Sequence, residues 1–241
     1  MDALTIAAAG GMKARMESLD LLANNLANAA TSGYKSDREF HSLYTSPQAS
    51  RDKTLPVIER EWTDFKQGVL SPTGNPLDLA LSGNGFFKVR GPSGILYTRN
   101  GSLRMSPSGE LRTHEGYVLE KQGGGPVRLD PALPVQIAPD GSVMQAGQAV
   151  AKIDLTDFPE VSGLRKQGAS YFLWTGAADA PRAAQGAEIL QGRVEGANVS
   201  TAETAVRLIN VMRQFEMLQR AASLGGEMNR KAVEEVAKAS S

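Results

Sequence analysis

The 241-residue chain contains no cysteine. That excludes a disulfide framework and thiolate chemistry, while an exported and a cytosolic protein fit equally well. Histidine is nearly missing too, with His41 and His114 the only two, so a metal cluster or a histidine-rich catalytic site is not expected. Aromatic residues make up 6% of the chain, and 26 Lys+Arg balance 26 Asp+Glu, which leaves no basic footprint for nucleic acid. No run approaches the roughly 18 apolar residues of a membrane-spanning helix. The first residues do not form a secretory signal: Ile6 to Gly11 is a short small-residue stretch with no basic region ahead of it. Gly83-Asn84-Gly85 lacks the third glycine of a nucleotide loop, a Walker lysine motif is absent, and no serine sits in a nucleophile-elbow pattern. Acidic residues are plentiful, but no pair stands out as the carboxylates of a hydrolase. Trp62 and Trp174 read as core or interface anchors rather than sugar platforms.

What the chain does have is a long helical pattern at each end. In the first, Met12, Met16, Leu19, Ala23 and Leu26 recur at spacings of four and three, which lines one face of a helix over residues 2–30. Asn24 and Asn28 lie one turn apart on another face, with Asn25 beside them. Asparagine competes with the helix for backbone hydrogen bonds, so three in five residues need a reason. Polar contacts between helices at a packed seam, which fix register, supply one. The helix runs out at Thr31-Ser32-Gly33, where Gly33 can take a left-handed conformation. The second pattern covers Thr201 to Ala239, about 58 Å of helix at 1.5 Å per residue, with Ser200 or Thr201 as cap. Its seam is Leu208, Val211, Phe215, Leu218 and Ala222. Val206, Ile209 and Met212 widen the apolar surface beyond one seam, a surplus that argues for assembly. Gly225-Gly226 weakens the helix locally and marks a candidate bend.

Between the ends, 25 glycines and 12 prolines over the whole chain promise many turns. Tyr34 to Tyr44 reads as an irregular or briefly helical arm, Gln48 to Leu55 as a polar mobile connection, and Leu55–Ile58 and Glu61–Phe65 as short extended segments. From Leu77 the period changes to two. Leu79–Leu81 and Phe86–Val89 flank Gly83-Asn84-Gly85 as an expected hairpin, and Gly91-Pro92-Ser93-Gly94 turns into Ile95–Thr98. Further strands are expected at Glu110–Arg112, Tyr117–Leu119, Val127–Leu129, Val135–Ile137, Val143–Gln145, Ala151–Phe158 and Tyr171–Trp174, with Gln191–Glu195 pairing back on the sheet. The expected fold class is α+β: long N- and C-terminal helices paired as a coiled-coil-like stem, with an inserted antiparallel β-barrel or sandwich. The expected domains are 1–35 plus 200–241 (helical core), 36–76 (extended connection) and 77–199 (β-rich outer domain).

Ala23-Asn24-Asn25-Leu26-Ala27-Asn28 followed by Thr31-Ser32-Gly33-Tyr34-Lys35 resembles the N-terminal signature of flagellar basal-body rod and hook proteins. Gly74 to Phe87, Tyr97-Thr98-Arg99-Asn100-Gly101, and Glu195 to Ser200 with Arg213-Gln214-Phe215-Glu216 continue the resemblance in the same order. It implies a structural subunit without enzymatic activity or cofactor. Its terminal helices would build the inner tube of a rod that carries torque from motor to hook. Leu19, Leu22, Asn24, Asn25, Leu26, Asn28, Leu208, Val211, Phe215 and Leu218 would serve as assembly positions. The implied partners are further copies, other rod proteins and the flagellar type III export apparatus, with no nucleic acid, small-molecule substrate or membrane insertion. The implied location is the basal body, reached with an uncleaved N-terminal region. The opening Met1-Asp2-Ala3-Leu4, the length, and the short Tyr44 to Leu70 connection resemble the proximal-rod member, with a distal-rod subunit as alternative. Two other classes stand beside this reading: a cell-wall enzyme carried on the rod, for which residues 160–190 are too few, and a soluble helical adapter with one partner.

Overall fold

The computed structural model describes residues 3–45, 54–176 and 181–239, which divide into two compact units. One, the helical unit, holds the described residues of Met1–Ala27, Asp37–Asp64 and Ser200–Ser241; the other, the β unit, holds Asn28–Ser36 and the described residues of Phe65–Val199.

In the helical unit, α1 (Ala3–Ala27) packs on α2 (Thr201–Ala239). The α1 helix stops three residues short of the expected end and turns through residues 28–33, where Gly33 takes φ +69°. The α2 helix begins after Ser200, whose carbonyl accepts the Thr204 N–H, and carries Glu203 in its first turn, where the helix dipole favours a negative charge. It continues unbroken through Gly225-Gly226. The expected irregular arm after Tyr34 is instead a strand. β1 (Asp37–Thr45) pairs antiparallel with β2 (Thr54–Thr63), from Asp37 opposite Thr63 to Thr45 opposite Thr54, with a bulge between Phe40 and His41. Mixed polarity hid this ladder, since the backbone groups of one strand are satisfied by a partner that local pattern does not reveal. Most of the expected polar connection, residues 46–53, lies outside the described residues.

The β unit is antiparallel throughout its paired strands. Its main sheet runs Leu164–Lys166, Tyr171–Trp174, Gly94–Thr98, Phe86–Gly91, Val118–Leu119, Leu111–Thr113, Leu103–Met105, and Leu155–Asp157 branches from Phe86–Gly91 to Arg182–Ala183. This path is open and does not close into a barrel. Three smaller sheets join Val135–Ile137, Ser142–Gln145 and Gln148–Lys152; Glu188–Gln191 and Leu79–Ser82; Arg193–Glu195 and Leu70–Pro72. The Gly91–Gly94 hairpin forms as expected. The expected hairpin across Gly83-Asn84-Gly85 does not: Leu79–Ser82 pairs with Glu188–Gln191 instead, more than a hundred residues away. Val127–Leu129 forms only an isolated bridge at Arg128, and the expected Ala151–Phe158 strand is split, its first part pairing with Ser142–Gln145 and Leu155–Asp157 with Phe86–Gly91 and Arg182–Ala183.

Strand alternation sends neighbours to opposite faces, and Phe86-Phe87 shows what that achieves. Phe87 joins Leu79, Leu81, Val89, Leu111 and Leu119 in the main core. Phe86 joins Tyr97, Phe158, Leu164 and Phe172 in a second cluster, where rings meet edge to face, Tyr97 and Phe158 at 4.8 Å.

Candidate functional site

Two places stand out, one in each unit. In the helical unit, the buried stripe of α1 is Ala8, Gly11, Ala14, Ser18, Leu22 and Asn25. These recur at three and four but are mostly small, so the partner helix can come close. A Cβ on Gly11 would sit 3.2 Å from Leu218 Cδ1. Buried Ser18 donates its hydroxyl to the Ala14 carbonyl at 3.0 Å, so this hydroxyl is not stranded in the seam. The stripe expected from hydrophobicity, Met12, Met16, Leu19, Ala23 and Leu26, lies roughly 100° around the helix from this one. It is only partly covered, with Met16 53% exposed, Ala23 exposed, and Met12, Leu19 and Leu26 half-buried.

On α2 the expected seam coincides with the less exposed side: Leu208, Val211, Phe215, Leu218 and Ala222 are half-buried, and Gly225 is buried. Away from that seam a second stripe, Val206, Met217, Leu224 and Met228, is exposed, Met217 by 60% and Leu224 by 59%. Ile209 and Met212 are exposed as well.

The asparagines divide their work. Asn25 is buried, and its amide makes a two-way clamp on the Asp37 backbone: Nδ2 donates to the carbonyl at 2.8 Å and Oδ1 accepts the N–H at 3.0 Å. It ties the end of α1 to the start of β1. Asn28 closes the turn that follows, its carbonyl accepting the Thr31 N–H at 3.0 Å and its Oδ1 the Thr31 hydroxyl at 3.3 Å. Asn24 is exposed.

The second place was not anticipated. Lys35, Arg99 and Glu195, each from a different signature stretch, meet inside the β unit. Lys35 and Glu195 have no exposed side-chain surface, and their Nζ and Oε1 are 2.6 Å apart. Nζ also donates to the Lys66 carbonyl at 2.6 Å, and Oε1 accepts the Gly68 N–H at 2.9 Å. Arg99 Nε lies 3.0 Å from Glu195 Oε2, an ion pair whose N–H is not aimed squarely at the oxygen. The rest of the guanidinium donates to the Gly85 and Gly83 carbonyls at 2.6 and 2.9 Å. Here is the role of the Gly-Asn-Gly loop: its left-handed glycines, φ +93° and +139°, turn two carbonyls toward one arginine. Burial lowers the Arg99 pKa from its ordinary value and Glu195 opposes that, yet a guanidinium stays charged under any physiological condition. Two cations and one carboxylate are thus enclosed, with carbonyl oxygens completing the shell, as buried charge requires. The sequence held a signal for this: each stretch puts one charged residue among glycine, small and apolar neighbours.

A serine, a histidine and an aspartate also meet, but not in relay order. The Ser102 hydroxyl donates to Asp78 at 3.2 Å and lies 3.3 Å from His114 Nε2, so the carboxylate touches the serine instead of orienting the histidine. Among the described residues no group of three His, Cys, Asp or Glu side chains could hold a metal ion, and no helix is long and apolar enough to cross a membrane.

Three family models match the chain: flagella basal body rod protein over residues 7–35, the flagellar hook protein FlgE/F/G D1 domain over 80–145, and the flagellar basal body rod FlgEFG protein C-terminal region over 190–235. The flagellar basal-body rod protein FlgF of Caulobacter vibrioides is 34% identical, covering 98% of both chains. FlgF of Mesorhizobium japonicum is 32% identical over 82% of this chain and 83% of its own. FlgG of Buchnera aphidicola (subsp. Schizaphis graminum) is also 32% identical, over 92% of this chain and 95% of its own.

Proposed function

We propose a function from the premise that this chain belongs to the flagellar basal-body rod protein family. It is a structural subunit of the rod, and its work is mechanical. Each terminal helix carries one stripe turned to the other helix and a second apolar stripe left partly or largely exposed, and this is the observation that carries the reading. The inner stripes pair α1 with α2 as a coiled-coil-like stem. The outer ones, Met12, Met16, Leu19, Ala23 and Leu26 on α1 and Val206, Met217, Leu224 and Met228 on α2, meet helices of neighbouring subunits. Leu22 and Asn25 hold the protomer together, and Asn24, at an exposed position, faces a neighbour. Such contacts join unlike surfaces, and with a rotation between subunits that does not close they propagate an open helical assembly. A subunit held by several neighbours passes torque without needing chemistry.

Its place is the proximal rod, a reading supported by FlgF-named relatives reaching 34% identity across 98% of the chain. A distal position is the second reading, favoured by the 32% identity to a FlgG protein. The chain reaches the basal body through the flagellar type III export apparatus.

The deciding experiment is sedimentation with negative-stain imaging across rising concentration, alone and with purified rod partners. Long assemblies that a Met217→Glu, Leu224→Glu variant cannot join are the expected result. A single complex of fixed stoichiometry would favour the adapter role instead.

A further inference from the structure

The segment Asn28–Ser36 belongs to the β unit, yet the described residues of 37–64, between it and the rest of that unit, lie in the helical unit. It enters the β unit as a ligand enters a receptor. Tyr34 and Lys35 are fully buried, and Gly33 and Ser36 are buried on either side. Backbone contacts fix the register: the Gly33 N–H donates to the Glu195 carbonyl at 2.7 Å, the Asn198 N–H to the Tyr34 carbonyl at 3.3 Å, and the Ser36 N–H to Asn198 Oδ1 at 2.7 Å. Lys166 Nζ donates to the Lys35 carbonyl at 2.7 Å and stands 4.0 Å over the Tyr34 ring. Side-chain pockets then read the sequence. The Lys35 ammonium ends on the Glu195 carboxylate and the Lys66 carbonyl, and Gly33 lies so close that a Cβ would be 2.3 Å from the Asn100 nitrogen.

We infer that the β unit carries a peptide-binding site for the sequence Gly-Tyr-Lys-Ser, formed by Lys66, Asn100, Lys166, Glu195 and Asn198 and occupied in the monomer by the chain's own residues 33–36. Backbone hydrogen bonds give this site affinity and its pockets give specificity, the usual division in peptide recognition. Arg99 makes the site separable from its ligand. Its ion pair with Glu195 keeps that carboxylate paired when Lys35 leaves, and the carbonyls of Gly83 and Gly85 hold it in place. In the intact chain the cis segment is present at a high effective concentration and excludes competitors.

The test uses the full chain with the cis ligand disabled, Gly33→Val with Lys35→Ala, every receptor residue unchanged. The probe is a fluorescent nonapeptide of residues 28–36, followed by anisotropy. Saturable binding to the double variant, about ten-fold or more tighter than to the unmodified chain, is expected, because tethering alone keeps the native site filled. A peptide carrying Lys35→Glu should not bind. Absence of saturable binding to a variant with an intact β-sheet spectrum, or equal binding of the two peptides, would overturn the inference. Should the variant not fold, hydrogen exchange on the unmodified chain decides. Amides of residues 33–36 opening together before those of Phe87 and Leu119 support a separable ligand; opening only with global unfolding refutes it.

Discussion

The two units solve the problem of apolar surface in opposite ways. In the β unit the large side chains of Phe87, Phe172, Leu79, Leu81, Leu111 and Leu119 have essentially no exposed surface, and even the charges of Lys35 and Glu195 are enclosed with partners. In the helical unit Met217, Leu224 and Met228 stand 59–71% exposed on a helix whose other side is already occupied. The β unit encloses its core and leaves only scattered apolar residues such as Val69 exposed, while the helical unit keeps a stripe of apolar area in water at about 25 cal/mol per Å². A region that leaves such surface wet is specified by contacts outside the protomer, and a region that hides even a lysine is specified by contacts within it.

The largest effect should come from opening the closed unit at its ion knot. Glu195→Ala leaves Lys35 and Arg99 as buried cations sharing only carbonyls, which should cost about 3–5 kcal/mol. Urea unfolding followed by the Trp174 signal should register the loss, with helical ellipticity at 222 nm falling less at low denaturant. A variant losing under 1 kcal/mol would mean the knot is dispensable, and the contrast between the units would weaken. Next in size, Leu119→Ala should cost about 2–5 kcal/mol, because its site in the main core is fully buried and lined from every side.

How far the sequence carried depended on what each position looks like on its own. The α2 seam was legible because Leu208, Val211, Phe215 and Leu218 are large and recur at helical spacing. The α1 seam was not, because Ala8, Gly11, Ala14 and Ser18 pack by being small, and small residues carry little hydrophobic signal. Hydrophobicity pointed to Met12 and Met16, which mark the uncovered side. Strands with clean alternation, such as Phe86–Gly91 and Gly94–Thr98, were found with their hairpin turn. The pairing of Leu79–Ser82 with Glu188–Gln191 was not, since nothing local encodes a partner so remote. The ion knot was hidden for the same reason. Lys35, Arg99 and Glu195 were all inside recognised stretches, but their meeting is a property of the fold.

A smaller effect probes the helical unit from its tight side. Gly11→Leu puts a side chain where a Cβ alone would already stand 3.2 Å from Leu218, so overpacking of about 1–3 kcal/mol is expected. Helical ellipticity and its melting midpoint would record it, and a gain in stability would show that the helices separate more readily than their packing implies. Smaller again is an acid-side titration in the β unit. Hydrogen bonds from the Ser142 N–H and hydroxyl, with Lys152 Nζ at 3.1 Å, lower the Asp140 pKa from 3.8 to about 2. A depressed carboxylate stabilises the fold above its ordinary pKa and loses that contribution as pH falls through the folded value, here between 3.8 and about 2. Asp140→Asn should flatten the melting curve's pH dependence in that window only slightly, because the group is exposed to solvent.

The smallest expected change in the protomer is the one with the most to say about function. Met217→Glu with Leu224→Glu alters two exposed helix positions with no core contact to lose, so monomer stability should move by about 0.5 kcal/mol or less. Glutamate is as good a helix former as the residues it replaces, so the helix itself is preserved. Assembly should nonetheless fail, because each new carboxylate would have to be buried unpaired at a subunit contact. The parallel change Leu119→Ala should do the reverse, lowering stability while any folded subunit still joins the rod. Measuring both variants by denaturation and by pelleting with partner subunits therefore separates fold from assembly. If the helix variant assembles normally, the exposed stripe is not the contact surface, and the apolar area left wet on α2 must be explained some other way.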